Sequence, residues 1–384
     1  MTIDTTADCG EQVQAIRDMV RGLAEKAIAP RAAETDATEE FPWHVVEAYR
    51  EAGLLSLLIP EDYGGAGASV VHETAIAEEL ARIDVSAAII FTSHSLCTEI
   101  IKYMATDAQK RQYLSRAVEG QLIAIGLTEP GAGSDAASIK TSAKRAGDGY
   151  VLNGTKQFCT NGDAASMILV FAVTAPGKGA RGISVFAVER QNPALRITRY
   201  EKKMGLHGTT TVEFVLEDCI VPESARLGPE HEGFYGAMFA LERGRVAIAG
   251  VGVGLAQGAM EQAIGYARER KQFGQVIGAF QGVQFILADM AMEIEAARRL
   301  VHHAAALGLS NADGFHLASA SAKCFATDVA MRVTTNAVQV FGGTGYMRGC
   351  PVERMMRDAK ILQIFDGTNQ IMRVLIARQL IGRL

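Results

Sequence analysis

The sequence predicts a mainly α-helical protein with a β domain set between two helical ones. Three observations carry this expectation. Apolar residues recur at helical spacing through residues 1–120. β-prone segments with strand alternation fill residues 121–230. Long helical runs separated by glycine-rich breaks return over residues 231–384. The expected organisation is an N-terminal helical domain, a β-barrel-like or sandwich middle domain, and a C-terminal four-helix bundle.

In the first domain Val13, Ile16, Val20 and Leu23 define one apolar helix face, and Ala29-Pro30 is a plausible stop. "EFPWHVVEAYREAGL" restarts a helix that Gly53 ends. "IPEDYGGAG" is a loop, and a helical pattern runs from about Val71 to Arg82. Another follows in "DAQKRQYLSRAVEG", with Asp107 a candidate N-cap. In the β domain "YVLNGTKQF" places an Asn-Gly turn between β-prone segments. "MILVFAVTA" and "RGISVFAVE" read as buried strands. Thr210, Val212, Phe214 and Leu216 alternate with Thr211, Glu213, Val215 and Glu217, which is strand period. Beyond Glu232, "MEQAIGYARERKQF", "FQGVQFILADMAMEIEAARRLVHHAAALG" and "FHLASASAKCFATDVAMRVTTNAVQVFGG" supply the bundle.

Composition narrows the function classes. A chain of 384 residues, 48% of them hydrophobic, exceeds one simple core. A net charge of −5 gives no basic footprint for nucleic acid. The six cysteines form no C-x-x-C pair, so neither a zinc ribbon nor a disulfide framework is indicated, which suits a reducing cytoplasm. The N-terminal "MTIDTTADCG" is polar, without a signal core, and the apolar run Val246–Met260 is shorter than a membrane span. A soluble cytoplasmic protein is expected. No histidine spacing suits a metal, and no G-x-S-x-G elbow occurs.

The chemistry-bearing candidates are few. "LTEPGAGSD" (127–135) is a glycine-rich loop whose backbone permits close approach, with hydroxyls from Thr128 and Ser134. It reads as an ordinary turn or a ligand loop, and no Walker lysine follows. "GVGVGLAQG" (250–258) fails the dinucleotide spacing and reads as small residues for close helix packing. Glu242 in "LERGRV" is either a helix-start residue or a functional carboxylate. Asp366 in "QIFDGTNQIM" is either the N-cap of the last helix or a base, since carboxylates rarely sit among Ile, Phe and Met without a partner or a task.

Taken together, "LTEPGAGSD", "LNGTKQFCTNG", "RKQFG", "QVFGGTGYMR", "PVERMMRDAKI" and "IFDGTNQIMRVLIAR" resemble the acyl-CoA dehydrogenase family along essentially the whole chain. The resemblance implies an oligomer (tetramer or dimer), non-covalent FAD, desaturation of an acyl thioester, and an electron-transfer flavoprotein as acceptor. It implies flavin contacts from Leu127, Thr128, Gly133 and Ser134, with Phe158 packing on the ring and Thr160 bonding near it. Arg270 and Phe273 match a segment that reaches the FAD of a neighbouring subunit. Gln281, Gln339, Gly342, Gly343, Thr368 and Gln370 match further FAD contacts. Ser134 and Arg243 match substrate contacts, the latter supporting the pantetheine arm.

In such an enzyme a carboxylate takes the α-proton while the β-hydrogen leaves as hydride to flavin N5. The position of Asp366 ordinarily holds Glu, one methylene longer. A second branch places its base on a helix at the position matching Glu242. Either carboxylate is therefore a candidate base. The acidic residue usual three positions before Arg243 is Ala240, and "RGC" precedes "PVER" where aromatic and acidic residues are common. Coenzyme A and a carrier protein, which share the phosphopantetheine arm, both remain open as carriers. So do desaturation at a more remote carbon and a flavin oxidase or monooxygenase on the same scaffold.

Overall fold

The computed structural model describes residues 5–382, with side chains from residue 10 onward. Of the polar stretch read at residues 1–10, residues 1–4 lie outside them. Helices α1 (Thr5–Leu23), α2 (Ala32–Thr38), α3 (Trp43–Glu51), α4 (Val70–Ile83), α5 (Val85–Met104) and α6 (Asp107–Val118) come first. The buried Val20, with Ile16 and Leu23 packed beside the core, gives α1 its inward face. Ala29-Pro30 does not stop the chain's helical path. A π turn at Ala24–Ile28 and a 3-10 turn at Ala29–Arg31 carry it into α2. Proline at the start of a turn loses no bond, because its missing N–H has no intrahelical partner there. The cap of α6 is Thr106, whose hydroxyl accepts from Gln109 N–H at 3.3 Å, so Asp107 is the first helical residue rather than the cap.

The strands are β1 (Ile123–Gly126), β2 (Ser142–Ala146), β3 (Gly149–Thr160), β4 (Met167–Val173), β5 (Ile183–Glu189), β6 (Leu195–Tyr200), β7 (Thr211–Pro222) and β8 (Arg226–Leu227). They form one eight-stranded sheet in the order β6-β7-β3-β2-β4-β5-β8, with β1 parallel beside β4. Buried Val212, Phe214 and Leu216 confirm the alternation read in β7. The Asn153-Gly154 pair is not a turn but lies inside β3, where the register against β7 slips. A Cβ on Gly154 would stand 2.4 Å from the Thr141 hydroxyl, so the glycine serves close approach. The hairpin turns instead at Gly147, whose φ is 58°.

The last domain holds α7 (Gly233–Glu269), a hairpin of β9 (Lys271–Gln272) and β10 (Gln275–Val276), then α8 (Gln281–Ser310), α9 (Phe315–Phe341), α10 (Pro351–Leu362) and α11 (Asn369–Ile381). α7 runs against α4 along a glycine edge. A Cβ on Gly254 or Gly258 would meet the carbonyl oxygens of Glu78 and Arg82 at 2.0 and 2.1 Å. That close approach fastens the N-terminal domain to the bundle. None of the described helices is long and apolar enough to cross a membrane.

Candidate active site

The segment between α10 and α11 builds a candidate site around Asp366. Asp366 and Gly367 both adopt the left-handed region, with φ of 51° and 95°. For a non-glycine residue that conformation is uncommon and costs energy unless its surroundings hold it. Three buried groups do so. Arg245 on α7 donates from Nε to the Asp366 carbonyl at 3.1 Å. Lys323 on α9 donates to the Gly367 carbonyl at 2.7 Å and to Asn369 Oδ1 at 3.0 Å. Asn369 donates in turn to Asp328 at 2.8 Å, Thr327 at 2.9 Å and the Cys324 carbonyl at 3.2 Å.

Asp366 is not the cap of α11. Thr368 is, its hydroxyl accepting from Ile371 N–H at 3.1 Å. The Asp366 side chain is thereby free for another task. The residue is half-buried, with its carboxyl set deep among protein atoms. Burial raises its pKa, against the pull of Lys323 and Arg245. Among the described residues no hydrogen bond engages its carboxylate oxygens.

Glu242 is differently placed. It lies in the third turn of α7, beyond reach of the helix start, and its carboxylate pairs with His316 at the head of α9. Three residues on, Arg245 is buried and its pKa is depressed by that burial. Arg243 turns elsewhere, its guanidinium 3.9 Å from the centre of the Phe239 ring and hydrogen-bonded to Asn311. Ala240 is buried in the core.

Two cavities flank the Asp366 turn. One of about 330 Å³ is lined by Phe158, Thr160, Leu206, Ile361, Ile364 and Phe365 among others. The other, about 930 Å³, is lined by Glu242, Arg245, His316, Leu375 and Arg378 among others. Ile364 and Phe365 enter the turn from the first cavity, and Arg245 grips it from the second.

The residues around the first cavity suit a flat, electron-accepting ring. Phe158 is held at φ 57° where β3 slips against β7, leaving its ring 57% exposed. Gln157 N–H donates to the Thr128 carbonyl at 2.9 Å, so the 127–135 loop sits against that slip. Thr128 N–H has no partner among the described residues, and nothing lies within 4 Å of a Cβ on Gly131 or Gly133. Ser134 is exposed beside them. An open backbone donor, hydroxyls and an unpacked aromatic face fit FAD's isoalloxazine.

The remaining candidates lie elsewhere. Arg270 is 25 residues beyond Arg245 on or beside α7, about 37 Å along the helix at 1.5 Å per residue. Phe273, 93% exposed with φ 51°, tips the β9–β10 hairpin beside it. The stacked rings of Tyr266 and Phe341, 4.2 Å apart, join that end of α7 to the end of α9. There Gln281, Gln339, Gly342 and Gly343 are all exposed. Thr368 and Gln370 stay with the Asp366 turn. Arg245, Lys323 and Asn369 were not singled out in the sequence. "ERGRV" offers two arginines two residues apart, and only the rotation of α7 decides which faces inward.

A helical–sheet–helical enzyme fold with an unpaired carboxylate on a braced turn beside two cavities is the class defined by this geometry. Family models agree in describing the acyl-CoA dehydrogenase N-terminal domain over residues 10–121, its middle domain over 124–219 and its C-terminal domain over 231–381. A probable acyl-CoA dehydrogenase of Mycobacterium tuberculosis is 45% identical over 372 residues, 97% of this chain and 96% of that protein. The solved butyryl-CoA dehydrogenase of Megasphaera elsdenii is 40% identical with a TM-score of 0.94, covering 99% of this chain and 100% of that one. A chain in the solved structure of the electron transferring flavoprotein of Acidaminococcus fermentans is 44% identical with a TM-score of 0.95, covering 100% of both.

The chain belongs to the acyl-CoA dehydrogenase family. It is an oxidoreductase acting on the CH–CH bond of an acyl-CoA, in a family of flavoproteins whose usual cofactor is FAD.

Proposed function

We propose that this enzyme desaturates a short- or branched-chain acyl-CoA at the α,β position with Asp366 as its base. The observation that carries this reading is the free Asp366 carboxylate on a braced, left-handed turn, with its neighbour Phe365 lining one cavity and its partner Arg245 the other. Glu242 is the weaker choice because His316 already occupies its carboxylate. A carboxylate of raised pKa is a stronger base toward a weakly acidic α-proton, which is what the step demands.

The larger cavity takes the thioester's carrier arm, with Arg245, Arg378 and His316 offering donors to its amides and phosphates. Asp366 accepts the α-proton on its carboxylate. Arg245 and Lys323 hold the turn through its two carbonyls, so the base is positioned before substrate arrives. Phe158, Thr160 and the 127–135 loop would hold FAD, which would supply a hydride acceptor.

The distance between Arg245 and Arg270 gives the exposed Arg270–Gly343 end no part in the same chain's base. It serves a flavin of a second copy, in a dimer or tetramer. Exposed Phe273, Phe285 and Met292 on that side support such an assembly. An electron-transfer flavoprotein is the proposed acceptor, supported by the Acidaminococcus match. The test is anaerobic mixing with short, branched and medium acyl-CoAs, followed at the yellow flavin band. Bleaching by short or branched chains is the expected result. A band unchanged by every acyl-CoA would overturn the substrate class and turn attention to carrier-protein thioesters.

A further inference from the structure

One buried ion pair has no part in the proton transfer. Lys156 on β3 is fully buried, and Glu129 in the 127–135 loop is nearly so. The Lys156 ammonium donates to Glu129 Oε1 at 2.8 Å and to the Leu127 carbonyl at 3.1 Å. Glu129 also accepts from the backbone N–H groups of Lys140 and Thr141, at 2.6 and 2.9 Å. The pair thus ties both ends of the loop, residues 127–129 and 140–141, to the strand that presents Phe158.

Stability alone does not explain such a pair. Taking two charges out of water is costly, and a well-packed apolar pair of similar volume is often as stable. What an apolar pair cannot do is polarise a peptide. The carbonyl that Lys156 engages belongs to the Leu127–Thr128 peptide, whose N–H is the unpartnered donor described above. Drawing electron density toward the carbonyl oxygen makes the N–H at the other end of the same peptide a stronger donor. Resting on the FAD-dependent reading, we propose that Lys156 and Glu129 are positioning residues that set flavin affinity and reduction potential through the Leu127–Thr128 peptide. The Thr128 N–H then favours the more electron-rich, reduced flavin, as preorganised donors favour any site where negative charge develops.

The test uses the flavin-loaded enzyme and reads FAD affinity and midpoint potential rather than turnover. In Lys156→Met/Glu129→Gln the pair is removed with its volume kept. FAD should bind about tenfold more weakly, and the preference for reduced over oxidised flavin should fall about tenfold, a drop of about 30 mV for a two-electron couple. Glu129→Gln alone is the milder variant should the double one fail to fold. Burial has brought the Lys156 pKa down to about 8 and only Glu129 holds it up, so without that anion the amine goes neutral and no longer polarises the peptide. Its potential should therefore fall in the same direction as the double variant's. A merely structural role has no reason to shift the potential of a variant that keeps its fold. Potentials within a few millivolts of wild type in Glu129→Gln would overturn the proposal. Wild-type protein that takes up no FAD would instead overturn the reading beneath it.

Discussion

Replacing Asn369 with leucine removes the hub of the turn while keeping its volume. Asn369 is buried, and its amide meets the Lys323 ammonium, the Asp328 carboxylate, the Thr327 hydroxyl and the Cys324 carbonyl. The two contacts to charged groups are worth about 1.5 kcal/mol each at the low end, and the neutral ones about 0.5 each. The expected loss is about 4 kcal/mol. Some of it reflects Lys323, whose pKa burial has already brought down to about 8 and which would lose a partner. The rate should fall as well. The Gly367 carbonyl and Asn369 share Lys323, so the Asp366 turn loosens. A displacement of ~1 Å at a catalytic base costs about 100-fold. The assays are urea unfolding and the anaerobic bleaching rate at saturating substrate. A loss under 1 kcal/mol together with a wild-type rate would refute the claim that this network positions the base.

Other outcomes follow from the same geometry. Glu73, buried on α4 beside Ser95, has its pKa raised from 4.5 to about 7, first by burial and then by Glu99. The native state therefore holds a proton between those values that the unfolded chain has released, so stability falls as pH rises through that window. A shift of that size corresponds to about 3 kcal/mol at 1.36 kcal/mol per pKa unit, and Glu73→Gln should flatten the pH dependence of urea midpoints between pH 4.5 and 7 by that order. A wild-type pH slope in that variant would show that Glu73 is not the group responsible. Thr368→Ala removes the α11 cap and should cost about 1 kcal/mol of stability, measured by urea unfolding, and an unchanged midpoint would show that the cap is not what holds the helix start.

The three-part architecture was legible because its signals are periodic. Val212, Phe214 and Leu216 point one way on β7, and the long helices carry their own spacing. Punctuation was less legible. Asn153-Gly154 is a hairpin signal by composition, yet the close approach of Thr141 makes it a slip inside a strand. Thr106 and Thr368 cap helices where neighbouring aspartates were the readier guess, because both residue types fit the cap and only the backbone decides. The candidate loop at 127–135 and the Asp366 turn carry recognisable motifs. Arg245, Lys323 and Asn369 could not, since each acts across a packing interface between helices whose rotation is a tertiary property. The Lys156–Glu129 pair was hidden in the same way, its partners lying 27 residues apart.

The most direct test of the central claim compares Asp366→Asn with Glu242→Gln in anaerobic flavin bleaching by a short acyl-CoA. Asp366→Asn should bind FAD, match or exceed wild-type stability because a costly buried charge is gone, and leave the flavin yellow. Glu242→Gln should still bleach. The reverse pattern, with bleaching lost only in Glu242→Gln, would contradict the account and make the His316-paired carboxylate on α7 the base.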